Sequence, residues 1–135
     1  MRVFLDANIL FSAAKSAGAV RQLLDTLLLA NHECWADTYV AEEARRNLAA
    51  KSPDGLVSLD ALLSRIRIAE AQPRRPASRE LLSLPEKDRP VLAAAVWLKC
   101  DALMTGDRGH FGHLFGQGVE GVAIHSPRSL AETIL

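Results

Sequence analysis

Cysteine is scarce in this chain, with only Cys34 and Cys100 among 135 residues. The two stand far apart and lack the spacing of a metal clip or a redox motif, so ordinary buried thiols in a reducing compartment are expected. A charge surplus is missing too, since 16 Lys and Arg face 16 Asp and Glu. No global field recruits nucleic acid or an anionic membrane, and any such partner must be met by a local patch. Long apolar runs are also lacking. The longest, over residues 23–30, is interrupted by Asp25 and is too short to cross a bilayer. The start shows no basic leader ahead of an apolar stretch, and no internal repeat or low-complexity tract occurs. These absences leave a soluble cytoplasmic protein of one domain, residues 1–135, large enough to bury a core without disulfide or metal staples.

The opening residues organise what is present. Val3, Phe4 and Leu5 form a continuous apolar run, which predicts a strand in a parallel sheet covered on both faces. Asp6 follows at once, and in open α/β sheets ligands bind beyond the carboxyl ends of strands. Asn8 lies on the same side as Asp6 if extended geometry continues. The competing reading makes Asp6 the cap of a helix beginning at Ile9.

Further along, the pattern predicts helices over 9–14 and 20–29, the second with Val20, Leu23, Leu24, Leu27 and Leu28 as a one-sided core stripe. A strand over 33–36 is followed by a helix start at Asp37-Thr38, with that helix running to about residue 50. Ser52-Pro53-Asp54-Gly55 is turn chemistry, and Leu56, Leu59, Leu62 and Leu63 carry the next apolar face. Residues 65–69 alternate as a half-exposed strand does. Residues 72–79 read as a loop with Pro73, Arg74, Arg75, Pro76 and Arg79. Ser83-Leu84-Pro85-Glu86 has capping-box spacing and predicts a helix over 84–100. A strand over 102–105, a glycine-rich loop holding His110 and His113, a strand over 119–124 and a helix from Ser126 or Pro127 complete the chain. Alternating strands and helices argue an α/β sandwich on a parallel sheet.

Most acidic residues sit where solvent would hold them, and four break the pattern. Besides Asp6, Glu43 borders the buried face set by Val40, Ala44 and Leu48, whereas Glu42 falls nearly opposite it. Asp88 stands in line with Val91, Leu92 and Ala95, as a core-facing residue or as the cap of a helix that starts there. Asp107 ends the strand over 102–105, and Thr105 points the same way. The second strand end thereby copies the first. Four convergent carboxylates repel one another unless a cation intervenes, and oxygen ligation suits Mg²⁺ or Mn²⁺. Such an ion can activate water for attack on a phosphodiester. Zinc is disfavoured because no histidine partners the cysteines.

The set Asp6-Ala7-Asn8-Ile9-Leu10, Glu43, Asp88 with Val91 and Leu92, and Thr105-Gly106-Asp107 resembles the PIN domain, the family of small metal-dependent ribonucleases that includes VapC-type toxins. The resemblance covers essentially the whole chain. It implies an α/β fold, a three-layer α/β/α sandwich with a central, mostly parallel sheet. It implies Asp6, Glu43, Asp88 and Asp107 as catalytic ligands of Mg²⁺ or Mn²⁺, with Asn8 and Thr105 orienting them. It further implies a single-stranded RNA substrate, a homodimer and a cognate antitoxin protein. Arg45, Arg46 and Arg108, with Arg74, Arg75 and Arg79, are the candidate phosphate contacts in an otherwise neutral chain. Three other functions stay open: a housekeeping RNA-processing nuclease, a noncatalytic RNA- or protein-binding module, and a phosphoaspartyl phosphatase with Asp6 as nucleophile. Against the phosphatase, Asn8 stands where haloacid-dehalogenase-type enzymes usually carry a second acid.

Overall fold

The computed structural model describes residues 1–72 and 78–134. Pro73, Arg74, Arg75 and Pro76 of the expected basic loop therefore lie outside the described residues. Six strands, β1 (Arg2–Leu5), β2 (Glu33–Asp37), β3 (Arg67–Ala69), β4 (Ala102–Met104), β5 (Gly118–Val119) and β6 (Val122–His125), form one sheet in the order β3-β2-β1-β4-β6-β5. All neighbours pair in parallel except β5 with β6. Helices cover the sheet in a three-layer α/β/α sandwich, and Val3, Phe4 and Leu5 are fully buried in its centre. Both faces of β1 are covered, which is why its sequence is apolar without alternation.

The order of strands fixes where a site can form. From β1 the chain builds β2 and β3 on one side, then crosses to β4 and β6 on the other. The direction of winding reverses between β1 and β4, and at such a switch point the carboxyl ends of adjacent strands open a crevice. Asp6 follows β1 and Thr105 follows β4, so the chain places both at that crevice.

The helices α1 (Ala7–Lys15), α2 (Ala19–Leu29), α3 (Thr38–Lys51) and α4 (Leu56–Leu63) form where the apolar periodicity predicted them. Asp37 caps α3 by accepting from the Val40 N–H at 3.1 Å. A single 3-10 turn, Pro53–Gly55, joins α3 to α4. Gly55 sits so close to its neighbours that an added Cβ would lie 2.8 Å from Leu48 Cδ2 and 3.3 Å from the Ala14 carbonyl oxygen. Cys34 and Cys100 are unpaired and buried, and burial pushes their thiols up to about 11 and about 12. They are packing residues. Among the described residues, no helix is long and apolar enough to cross a membrane.

Several expectations are corrected. The helix expected over 84–100 is confined to α6 (Arg89–Trp97), and a separate short helix, α5 (Arg79–Leu82), precedes the expected start. Ser78 caps α5, its Oγ accepting from the Leu81 N–H at 3.2 Å, and Ser83 is the N-cap of neither helix. Ser83 lies at the end of α5 and donates back to the Glu80 carbonyl at 2.6 Å. Pro85 falls in the connection, and Pro90 falls in the first turn of α6, where a missing N–H costs no hydrogen bond. The loop after β4 is helical, as α7 (Arg108–Phe111) and a 3-10 turn over Gly112–Leu114, so His110 and His113 are not loop residues. The strand over 119–124 is the hairpin of β5 and β6. Glu120 (φ 48°) and Gly121 (φ 89°) both adopt the left-handed region that a two-residue hairpin turn demands. A last helix, α8 (Pro127–Ile134), closes the described chain.

Candidate metal centre

Asp6 is only 4 % exposed and serves two purposes at once. Its Oδ1 accepts from the Ala7 N–H at 2.7 Å, so the helix-cap reading holds. Its Oδ2 faces the crevice, accepting from the Thr105 hydroxyl at 2.7 Å and from the Asn8 amide at 3.2 Å. Burial raises the Asp6 carboxyl from 3.8 to about 6; the bonds from Thr105 and Ala7 oppose that rise, and the charges of Asp88 and Glu43 add to it.

Asn8 lies in the first turn of α1, so the extended geometry expected of it does not persist. It reaches the crevice from the helix instead. Its Oδ1 accepts from the Gly106 N–H at 2.8 Å, and its Nδ2 donates to Thr105 Oγ1 at 3.3 Å. Thr105 is wholly buried, and its Oγ1 also accepts from the Asp107 N–H at 3.2 Å. The ends of β1 and β4 are therefore joined by a side-chain network whose polar groups have partners despite burial.

Asp88 occupies the N-cap position of α6, but its side chain makes no capping bond. It turns inward and is 9 % exposed. Burial raises its carboxyl above the ordinary range, Asp107 pushes the same way and His110 opposes them. Asp107 caps α7, with Oδ1 accepting from the His110 N–H at 3.0 Å. That capped turn carries His110 back over the crevice, where its Nδ1 lies 2.7 Å from Asp88 Oδ2 and 2.9 Å from Asp107 Oδ2. Neither His110 Nδ1 nor Asp88 Oδ2 has an aligned hydrogen-bond partner, although both atoms are buried. Among the described residues, Asp88, Asp107 and His110 are the group whose donor atoms all lie within 4.8 Å of one another.

Glu43 is half-buried on α3, and its charge reaches both Asp6 and Tyr39. One turn earlier on α3, the Tyr39 hydroxyl donates to the Lys87 carbonyl at 2.7 Å, which ties the helix bearing Glu43 to the segment bearing Asp88. The structure thus gathers Asp88 and Asp107 into direct proximity and places Asp6 and Glu43 in electrostatic contact with the cluster. His110 is the residue that sequence reasoning missed. The usable signal was the three-residue spacing from Asp107, a strand-end acid able to cap a turn. Beside the crevice, Asn8, Ile9, Ser12, Val20, Gly106, Asp107 and Pro127 line an open cleft of about 390 Å³.

Of the candidate phosphate contacts, Arg74 and Arg75 lie outside the described residues. Arg45 is committed to Asp60 at 2.9 Å, whereas Arg46, Arg79 and Arg108 are exposed. Arg108 adjoins Asp107 in sequence and is the member nearest the crevice along the chain.

The family model described as PIN domain matches residues 2–109. No curated protein matches the chain significantly by sequence. Solved structures of similar fold include VapBC2 from Rickettsia felis bound to a promoter DNA fragment, with TM-score 0.67 and 15 % identity over 93 % of this chain and 98 % of that one. Another is VapC20 of Mycobacterium tuberculosis, a sarcin-ricin loop cleaving toxin, with TM-score 0.59 and 13 % identity over 87 % and 97 %. VapBC-1 of nontypeable Haemophilus influenzae has TM-score 0.60 and 12 % identity over 95 % and 99 %.

Proposed function

The chain belongs to the PIN-domain family, and we propose that it is a metal-dependent endoribonuclease that cleaves single-stranded RNA as the toxin of a type II toxin–antitoxin pair. The observation that carries this reading is the crowding of acids at the switch point, with Asp6 and Asp88 buried and Glu43 and Asp107 half-buried. Asp88 Oδ2 is left without an aligned partner beside Asp107 and His110. Acids held this close, one of them with a buried oxygen lacking an aligned hydrogen bond, suit a bound cation, so the donor set fits a divalent metal. Asp6, Glu43, Asp88 and Asp107 are its carboxylate ligands in this proposal. Bound there, Mg²⁺ or Mn²⁺ supplies the positive charge that activates water and stabilises charge developing on a phosphodiester.

The chain's own residues do the positioning. Thr105 and Asn8 fix Asp6 Oδ2, so one carboxylate enters the crevice in a single orientation. Asp107 is fixed through its cap on α7, and Tyr39 holds the segment before Asp88. The cleft beside Asp107 offers a path for a single strand, and the exposed Arg108 follows Asp107 in the chain. The solved VapBC structures of similar fold support an antitoxin partner for this chain, and a homodimer is part of the same proposal.

The test is cleavage of an end-labelled single-stranded RNA by the purified chain. Cleavage should require Mg²⁺ or Mn²⁺, stop with EDTA, and disappear in Asp6→Asn and Asp107→Asn. Intact metal-dependent cleavage in both variants would place the chemistry elsewhere. For the biology, growth arrest on expression that is relieved by a neighbouring small DNA-binding protein separates a toxin from a housekeeping nuclease.

A further inference from the structure

We propose that His110 is itself a metal ligand, so that the centre is a mixed nitrogen and oxygen site that prefers Mn²⁺ to Mg²⁺. The inference rests on the metal-dependent reading above and deepens it. Three donor atoms meet at one point: Nδ1 of His110 is 2.7 Å from Asp88 Oδ2 and 2.9 Å from Asp107 Oδ2. A hydrogen-bonded ring would aim an N–H along one of these lines. Nδ1 and Asp88 Oδ2 are both buried without an aligned hydrogen bond, yet they stand within ion-pairing distance, and the Asp107 carboxylate closes the group from the other side. Ligands on adjacent corners of an octahedron with bonds of about 2.1 Å are roughly 3 Å apart. The two observed separations match that edge length.

The local fold holds the ring there. Asp107 Oδ1 caps the N–H of His110 while Oδ2 of the same carboxylate faces its ring, so backbone and side chain of His110 are both referred to one acid. The other histidines are engaged elsewhere or lie away from the crevice. His113 Nε2 contacts Ser83 Oγ at 2.8 Å, His125 Nδ1 contacts Ser129 Oγ at 2.9 Å, and His32 stands at the opposite, amino-terminal edge of the sheet before β2. Imidazole is a poor ligand for Mg²⁺ and a good one for transition ions, so one nitrogen among carboxylates tilts selection toward Mn²⁺.

The experiment uses the intact chain with Mn²⁺ alone as the probe. Pulsed electron paramagnetic resonance should reveal nitrogen coupling of a directly bound imidazole, and it should change to the ¹⁵N pattern when histidine is ¹⁵N-labelled. That measurement needs no variant and is unaffected by folding of one. In calorimetric titrations, His110→Gln should weaken Mn²⁺ binding by about tenfold or more and Mg²⁺ binding by less. Mn²⁺ bound to the chain without nitrogen coupling overturns the ligand role of His110 and leaves the carboxylate centre standing. Failure of the unaltered chain to bind Mn²⁺ at all overturns this inference together with the metal-dependent reading.

Discussion

The hydroxyl of Thr105, just past β4, donates to Asp6 Oδ2, just past β1, at 2.7 Å across 99 residues of sequence. Both residues are buried, so this bond fixes the relative placement of the two strand ends that form the crevice. Thr105→Val keeps the shape and removes the donor, leaving a buried carboxylate oxygen and the Asp107 N–H with fewer partners. A loss of about 1–3 kcal/mol in a urea unfolding titration is expected. Thr105→Ser, which retains the hydroxyl, should lose less; an unchanged midpoint in Thr105→Val beside a loss in Thr105→Ser would mean that the methyl group matters and the bond does not.

The metal-free protein should titrate Asp6 near its raised value of about 6 rather than at 3.8. The folded state then holds a proton that the unfolded state has released. This contribution to stability is therefore present below pH 4, falls as pH rises through 6 and is flat above. About two pH units correspond to roughly 3 kcal/mol. His125, whose value burial lowers, works in the opposite sense up to its unfolded value, so the carboxyl must be followed directly. A ¹³C titration of the Asp6 carboxyl in EDTA should show a midpoint about two units above the ordinary one. A midpoint near 4 would contradict the burial argument.

Divalent metal should stabilise the fold by relieving the same crowding. At a Mn²⁺ concentration a hundredfold above Kd, linkage gives about 2.7 kcal/mol, which for a chain of this size raises Tm by several degrees. Calorimetry with and without Mn²⁺ reads the shift, and EDTA should reverse it. In Asp88→Asn and Asp107→Asn the shift should shrink or vanish, because the donor group loses a charge in each.

Gly55 tests the packing behind the site. A methyl group there would meet Leu48 Cδ2 at 2.8 Å and the Ala14 carbonyl at 3.3 Å, where α1, α3 and the turn between α3 and α4 converge. Leu48 can shift only by disturbing a fully buried neighbourhood. Gly55→Ala should cost about 1–3 kcal/mol, read as a lower urea midpoint with an unchanged slope. An unchanged midpoint would show that Leu48 moves aside freely.

The parts of the fold legible in the sequence share one property: they are written in local periodicity. The unbroken run of Val3, Phe4 and Leu5 marks a strand buried on both faces, and the stripe through Leu23, Leu24 and Leu27 marks a helix with one buried face. The helix starts between residues 78 and 89 were harder, because Ser83 and Glu86 imitate a helix start, while α5 begins earlier behind Ser78 and α6 later at Arg89. The β5–β6 hairpin was missed because its turn, Glu120-Gly121, carries only one glycine for two left-handed positions.

By itself the sequence determined which acids were out of place and which segments would pack, since an aspartate in line with Val91, Leu92 and Ala95 violates a pattern that needs no coordinates. It could not decide what Asp88 does at the start of α6, because capping and turning inward differ only in one side-chain direction. Tertiary structure decided that, and it also brought His110 to the acids. The decisive step was the crossover that puts β4 beside β1 and lets the turn capped by Asp107 fold His110 back over Asp88. Residues 88 and 110 meet through that topology, with Asp6 within reach of the Asp88 charge, and no spacing along the chain encodes it.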